Sequence, residues 1–457
     1  MAGRVIASWP LAGGLLDSLA QALGGLGDVP VAVRSSANSE DTVHASGAGQ
    51  HESVLAVRGV PDVAAAVRTC WESLHSSRAI AYRNDPSTNH PPPDEPAMAV
   101  LIQRLVDADI SGVMFTPADP ESPTEIEASW GLGPAVVGGT VTPDAYRVAP
   151  DGTITRTIAH KQTRLDRTGT QPSTNLTATH TAHSTAKLAS NGNAHSAAAL
   201  VSSEDTRSGT GQVGTGDTRS HASTAAVDAS SAPGLVSGGL VVSEVSGVDR
   251  DRATLDDATV ARLVLLGQRV AAVLGGPQDI EWAIADSHIW ILQARPITAT
   301  PPPAPSEAPV ASPTVLTGTP ASHGLVAGTA RIVRGPADFL RVRPGDILVC
   351  PYTDPAWTPL LRIAAGVLTE TGGVLSHAAI VARELRIPAI LGIPDATTRI
   401  HDGATITING TTGTVTTTVP DAAVTTTISD AATTTVPDAA TTVVSDAAVT
   451  TVVSEAP

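Results

Sequence analysis

The chain has 457 residues, of which only 2% are aromatic, and a formal net charge of −16. That length allows two or three folded domains. Long Thr/Ser/Ala stretches without aromatics reduce the expectation to two, because they bury too little apolar surface to offset the entropy of ordering. The acidic balance, with no basic run, argues against a nucleic-acid or anionic-membrane partner.

No run of ~20 apolar residues is long enough to cross a bilayer. The N-terminus lacks the apolar core of a signal peptide, so a cytoplasmic location is expected. Cys70 and Cys350 stand far apart and outside any CxxC spacing, which excludes a disulfide framework and a thiolate zinc site.

Within residues 1–28, Leu11, Leu15, Leu16, Leu19 and Leu23 recur at helical spacing. Residues 29–33 read as a short strand, followed by a polar Ser/Gly loop that carries Arg34, Ser35, Ser36, Gly47 and Gly49. Residues 60–82 have helical periodicity, and 98–105, 112–116 and the start of 125–139 read as strands. From about 167 to 233 the composition collapses into Thr, Ser, Ala, Gly and His, and a disordered insertion is expected.

Helix returns at 259–274, then strands at 279–284 and 289–293 around a short turn. The Pro-rich run 299–314 reads as an extended linker. A second unit, 315–415, alternates Val/Ile/Thr strands with Gly turns and has one strong helix, 377–385. Residues 416–457 repeat a Thr/Val/Asp/Ala unit and are expected to be a disordered tail.

Two patterns carry chemistry. In a strand, alternate residues share a face, so Asp279 and Glu281 point the same way, as do Gln293 and Arg295 on the neighbouring strand. Paired, they would gather two carboxylates suited to Mg²⁺ and a guanidinium suited to phosphate. By spacing alone the same residues fit a surface hairpin with cross-strand salt bridges.

The second pattern is GlyGlyValLeuSerHis, 372–377, ahead of the apolar helix. It puts His377 at a helix N-terminus, where backbone donors favour an added phosphoryl group. The same pattern fits a histidine that only bonds locally. Arg383 lies within reach of a phosphate or of a structural acid.

The segments AVRSSANSEDTVHASGAGQHESVL, GVMFTPADP, SWGLGPAVVGGTVTPDAYRV and GGPQDIEWAIADSHIWILQARPIT resemble the nucleotide-binding domain of phosphoenolpyruvate synthases, pyruvate phosphate dikinases and rifampin phosphotransferases. Residues 317–415, with TETGGVLSHAAIVARELRIPAILGI, resemble that family's phosphohistidine swivelling domain. The resemblance implies an α/β fold: an ATP-grasp-like domain over 1–298, then a small β/β/α swivelling domain over 315–415.

It also implies ATP and Mg²⁺ as cofactors. Arg34, Ser35, Gly47, Gly49, Gln293, Arg295 and Lys161 would bind nucleotide, Glu281 and Asp279 would bind metal, and His377 would be phosphorylated. The family's Gly-Gly-Lys motif has no counterpart: Gly13–Gly14 runs into Leu15. Nor has its acceptor-binding domain, so the phosphoacceptor is expected to be a small molecule or a partner subunit. The expected function is ATP-dependent phosphotransfer through His377; the alternative is a nucleotide-binding regulatory or degenerate member that does not turn over.

Overall fold

The computed structural model describes residues 6, 10–38, 51–76, 79–80, 83, 96–169, 239–302 and 315–417. Gly47 and Gly49, most of the 167–233 insertion, the linker from 303 and the repeat from 418 lie outside them.

The first part begins with helix α1, Gly13–Leu26, which buries Leu19 and Leu23 and stops at Gly27 in the left-handed conformation (φ 85°). Strands β1 (Val31–Ala37), β2 (Ser53–Val57) and β3 (Met98–Arg104) form an antiparallel sheet in the order β2-β1-β3. Helix α2, Val60–Ser73, packs Val63, Val67 and Cys70 against it. The expected helix to residue 82 is therefore shorter, because its apolar stripe lapses in the polar run after Ser73.

A second, six-stranded antiparallel sheet has the order β11-β10-β4-β5-β6-β7. Its strands are β4 (Ile110–Phe115), β5 (Thr124–Trp130), β6 (Asp144–Val148), β7 (Ile154–Thr157), β10 (Gln278–Ala285) and β11 (His288–Pro296). β8 (Thr163–Arg167) and β9 (Leu240–Glu244) make a separate ribbon. Helix α3, Asp257–Leu274, starts where Asp256 accepts the amide of Thr259 at 2.8 Å. It covers one face of the sheet, where Met114, Ile126, Ile280 and Trp282 are sealed.

The second domain is one eight-stranded mixed sheet in the order β12-β19-β18-β14-β15-β16-β17-β13. Its strands are β12 (Val315–Thr317), β13 (Thr319–Ser322), β14 (Leu325–Ile332), β15 (Ile347–Cys350), β16 (Gly366–Thr369), β17 (Ala389–Leu391), β18 (Thr405–Asn409) and β19 (Thr414–Thr417). β14 to β17 run parallel, and the side chains of β15, β16 and β17 are buried on both faces. Helix α4, His377–Leu385, lies on one face and matches the helix expected from sequence. The thiols of Cys70 and Cys350 are both buried and unbridged.

Gly112 sits where three elements meet: a Cβ there would run into the Glu127 carbonyl and the Trp282 ring. Gly112→Ala is expected to lower stability by about 1–3 kcal/mol. Denaturant unfolding checks this; an unchanged midpoint would contradict the packing described.

Candidate functional site

The β10–β11 ladder pairs Asp279 with Arg295 and Glu281 with Gln293, as the alternation argued. Arg295 Nε donates to Asp279 Oδ2 at 2.8 Å. Arg34, arriving from β1, donates through Nη2 to Glu281 Oε2 at 2.5 Å. That pair keeps about a fifth of each side chain exposed (19% and 21%).

Burial acts to raise Glu281, but the charge and hydrogen bond of Arg34, with Arg295 beyond, more than offset it; its carboxyl lies below the usual range. Asp279 is raised, because burial outweighs Arg295. Two hard oxygen donors on one strand face suit Mg²⁺ held jointly with substrate phosphates.

Beside them a cleft, with about 60 Å³ of water-accessible space, opens between the three- and six-stranded sheets. Ala32, Leu55, Leu105, Val106, Val137 and Leu292 line it, with Arg34, Gln103, Arg104 and Glu281 as polar members. An apolar slot with a few polar groups at its edge is the usual form of a small-ligand site.

The ladders place Glu281, Val113 and Glu127 in one row across β10, β4 and β5. At ~4.8 Å per strand, Glu127 stands ~10 Å from Glu281 on the same face. That face carries the second domain. Glu127 accepts the amide of Val374 at 2.5 Å and that of Leu375 at 3.2 Å. Thr371 Oγ1 donates to Gly139 O at 2.7 Å, and Thr298 Oγ1 to Glu384 Oε1 at 2.8 Å. Leu375 and Ile380 join one apolar cluster with Val113, Phe115 and Leu132.

His377 opens α4 behind the N-cap residue Ser376, is buried, and lies with Nδ1 3.4 Å from Thr353 Oγ1. Arg383, one turn and a half later, donates to the carbonyls of Val374 (2.8 Å) and Ala321 (3.1 Å). Burial lowers its guanidinium to about 10, against Glu127, Asp279 and Glu384. Burial in turn lifts Glu127 to about 7, against the two loop amides and Arg383.

Lys161 is not part of this group. It is fully buried, and Nζ donates to Asp144 Oδ1 at 2.6 Å and to Ala159 O at 2.9 Å. Asp144 also receives the amide and hydroxyl of Thr254. Ser35 stays on β1 next to Arg34, partly exposed. Sequence reasoning missed Glu127, Thr353 and Gln103. Nothing in the run TEIEASW, 124–130, set Glu127 apart from the neighbouring Glu125. Among the described residues no cluster of three or more His, Cys, Asp or Glu is gathered, and no helix is long and apolar enough to cross a membrane.

Residues 3–313 match the family model of the pyruvate phosphate dikinase AMP/ATP-binding domain, and residues 342–413 that of the PEP-utilising enzyme mobile domain. The chain belongs to this family. It is 35% identical over 397 residues to a probable phosphoenolpyruvate synthase of Methanothermobacter thermautotrophicus, covering 86% of this chain and 47% of that protein. It is 33% identical over 412 residues to the phosphoenolpyruvate synthase of Aeropyrum pernix (86% and 44%). With that of Deinococcus radiodurans it shares 31% over 441 residues (91% and 47%). The chain thus spans under half the length of these relatives.

Two outcomes follow from the buried charges. Lys161→Met strands Asp144 and is expected to cost about 3–5 kcal/mol of stability in denaturant unfolding; a loss under 1 would contradict the sealed pair. Glu127, raised from 4.5 to about 7, contributes stability that is present below 4.5 and lost as pH rises through 7. The thermal midpoint should fall between about pH 4.5 and 7, with a shallower slope in Glu127→Gln. Equal slopes would contradict this.

Proposed function

We propose that the chain is an ATP-dependent phosphotransferase that phosphorylates its own His377 and presents the phosphohistidine to an acceptor. In this reading the first part is an ATP-grasp-like domain and the cleft between its sheets takes the nucleotide. The base lies among Leu55, Leu105, Val106 and Leu292, with Gln103 as polar neighbour. The phosphates extend towards Arg34, Ser35, Gln293 and Arg295. Asp279 and Glu281 hold Mg²⁺, which neutralises phosphate oxygens when bound. Gly47 and Gly49 belong to the proposed phosphate loop by resemblance alone. Lys161 is left out, because its ammonium is enclosed with Asp144.

The supporting observation is the docking of the 371–377 loop on the sheet face that carries Asp279 and Glu281. This brings the histidine-bearing loop to the carboxylates and guanidinium groups without any further element. Arg34 and Arg295 now bond Glu281 and Asp279; were those acids to hold Mg²⁺, both guanidinium groups would be free to donate to the phosphates. His377 attacks through an imidazole nitrogen, and Thr353 orients the ring from Nδ1. Attack on the β-phosphorus breaks its bond to AMP, which leaves, and water then cleaves off the terminal phosphate, so the dikinase-type outcome is AMP, inorganic phosphate and one phosphoryl group on His377. Thr298 and the linker after it tether the second domain, so it can leave the site to meet a small-molecule or protein acceptor.

The test uses ATP labelled at the β-phosphate with Mg²⁺. Wild type should gain acid-labile, base-stable label and release AMP, whereas His377→Ala should gain none. Asp279→Asn and Glu281→Gln should label at least 10²-fold more slowly, the range for losing a preorganised charge stabiliser. ATP binding without label on the wild type would overturn the reading and leave a nucleotide-binding member that does not turn over.

A further inference from the structure

We propose that Glu127 is the positioning residue of this reaction: its carboxylate receives the backbone amides of the histidine loop and so sets the distance from His377 to the nucleotide. The proposal rests on the phosphotransfer reading above.

Glu127 is an acid 3% exposed in the middle of a sheet, a costly place for charge unless it is bonded. Its own part of the chain supplies neighbours of the wrong kind: Glu125 on the same strand face, and Val113 and Ala145 beside it in the ladder. The donors come from the other domain, at Val374 and Leu375, two and three residues ahead of His377. Val374 is held from both sides, its amide by Glu127 and its carbonyl by Arg383. The loop therefore cannot slide without breaking one of these bonds.

Glycine at 373 has a reason in the same contact. A Cβ there would strike both carboxylate oxygens of Glu127. Its φ is not in the positive range reserved for glycine, so what excludes a side chain is the approach of Glu127 rather than the backbone conformation. The ladder fixes the other end, with Glu127 ~10 Å from Glu281 across Val113. One side chain thus ties the mobile histidine to the metal-binding strand by counted strand spacings.

The contact can be broken from either side. Gly373→Ala displaces the carboxylate while leaving Glu127 in place, and its own domain keeps its core. Glu127→Ala removes both acceptor oxygens; Glu127→Gln retains one. In the full chain, Gly373→Ala and Glu127→Ala should slow β-label transfer to His377 by about 10²-fold, the effect of a misplacement near 1 Å. KM for MgATP should stay unchanged, and Glu127→Gln should recover part of the rate. A structural role alone would alter stability or nucleotide affinity and show no graded recovery.

A second readout needs no activity. Spin labels on Val273→Cys and Leu340→Cys, which are 76% and 99% exposed on the two domains, report their separation. The wild type should give one dominant short distance; Gly373→Ala should broaden it. Wild-type distances and rates in Gly373→Ala would overturn the proposal. If the wild type itself takes no label, the phosphotransfer reading fails, and the distance measurement still decides whether Glu127 holds the loop.

Discussion

Every buried carboxylate in this chain needs a donor, and where each donor comes from organises the molecule. Asp144 is met by Lys161 and Thr254 from connecting segments of the same part of the chain, and that corner is closed. Asp279 and Glu281 are met by Arg295 and by Arg34 from a different sheet, which ties the two sheets together around a cleft. Glu127 is met by amides of the second domain. The first arrangement holds the fold, the second borders the proposed ligand site, and the third joins the 371–377 loop to the six-stranded sheet.

These arrangements differ in how readily they come apart. Lys161 and Asp144 are wholly enclosed, so parting them leaves an unpaired charge in the interior. Arg34 and Glu281 are reached by solvent and lie at the edge of the cleft, where an incoming polyanion and a divalent cation offer each partner a replacement. The Glu127 contact exchanges backbone amides for water when the domains separate, and burial has already weakened the hold of charge on that carboxyl. The docking and release in the proposed reaction are served by a contact of this intermediate kind.

Much of this was legible in the sequence. Strand alternation put Asp279 with Glu281 on one face and Gln293 with Arg295 on one face of the next strand, while the register that pairs Asp279 with Arg295 and Glu281 with Gln293 came from the structure. The Gly pair, the short polar step at Ser376 and the apolar run after His377 gave α4 its bounds. Burial was not legible. Lys161 reads as a candidate cation until its ammonium is seen enclosed by Asp144. The partner of Glu127 could not be read at all, since backbone amides leave no mark in a sequence. With Glu125 two residues before it, the acid at 127 did not stand out either.

The central claim is that the docked arrangement is the one in which His377 takes phosphate from ATP. A Cβ on Gly139 would stand 3.3 Å from that of Ser376, close to the span of a disulfide. The paired variant Gly139→Cys/Ser376→Cys can therefore lock the domains together on oxidation, with its reduced form as control. The oxidised protein should take one phosphoryl group from β-labelled ATP as fast as the reduced protein and fail to pass it on. Loss of labelling on oxidation, regained on reduction, would show that phosphorylation needs another arrangement and would contradict the account.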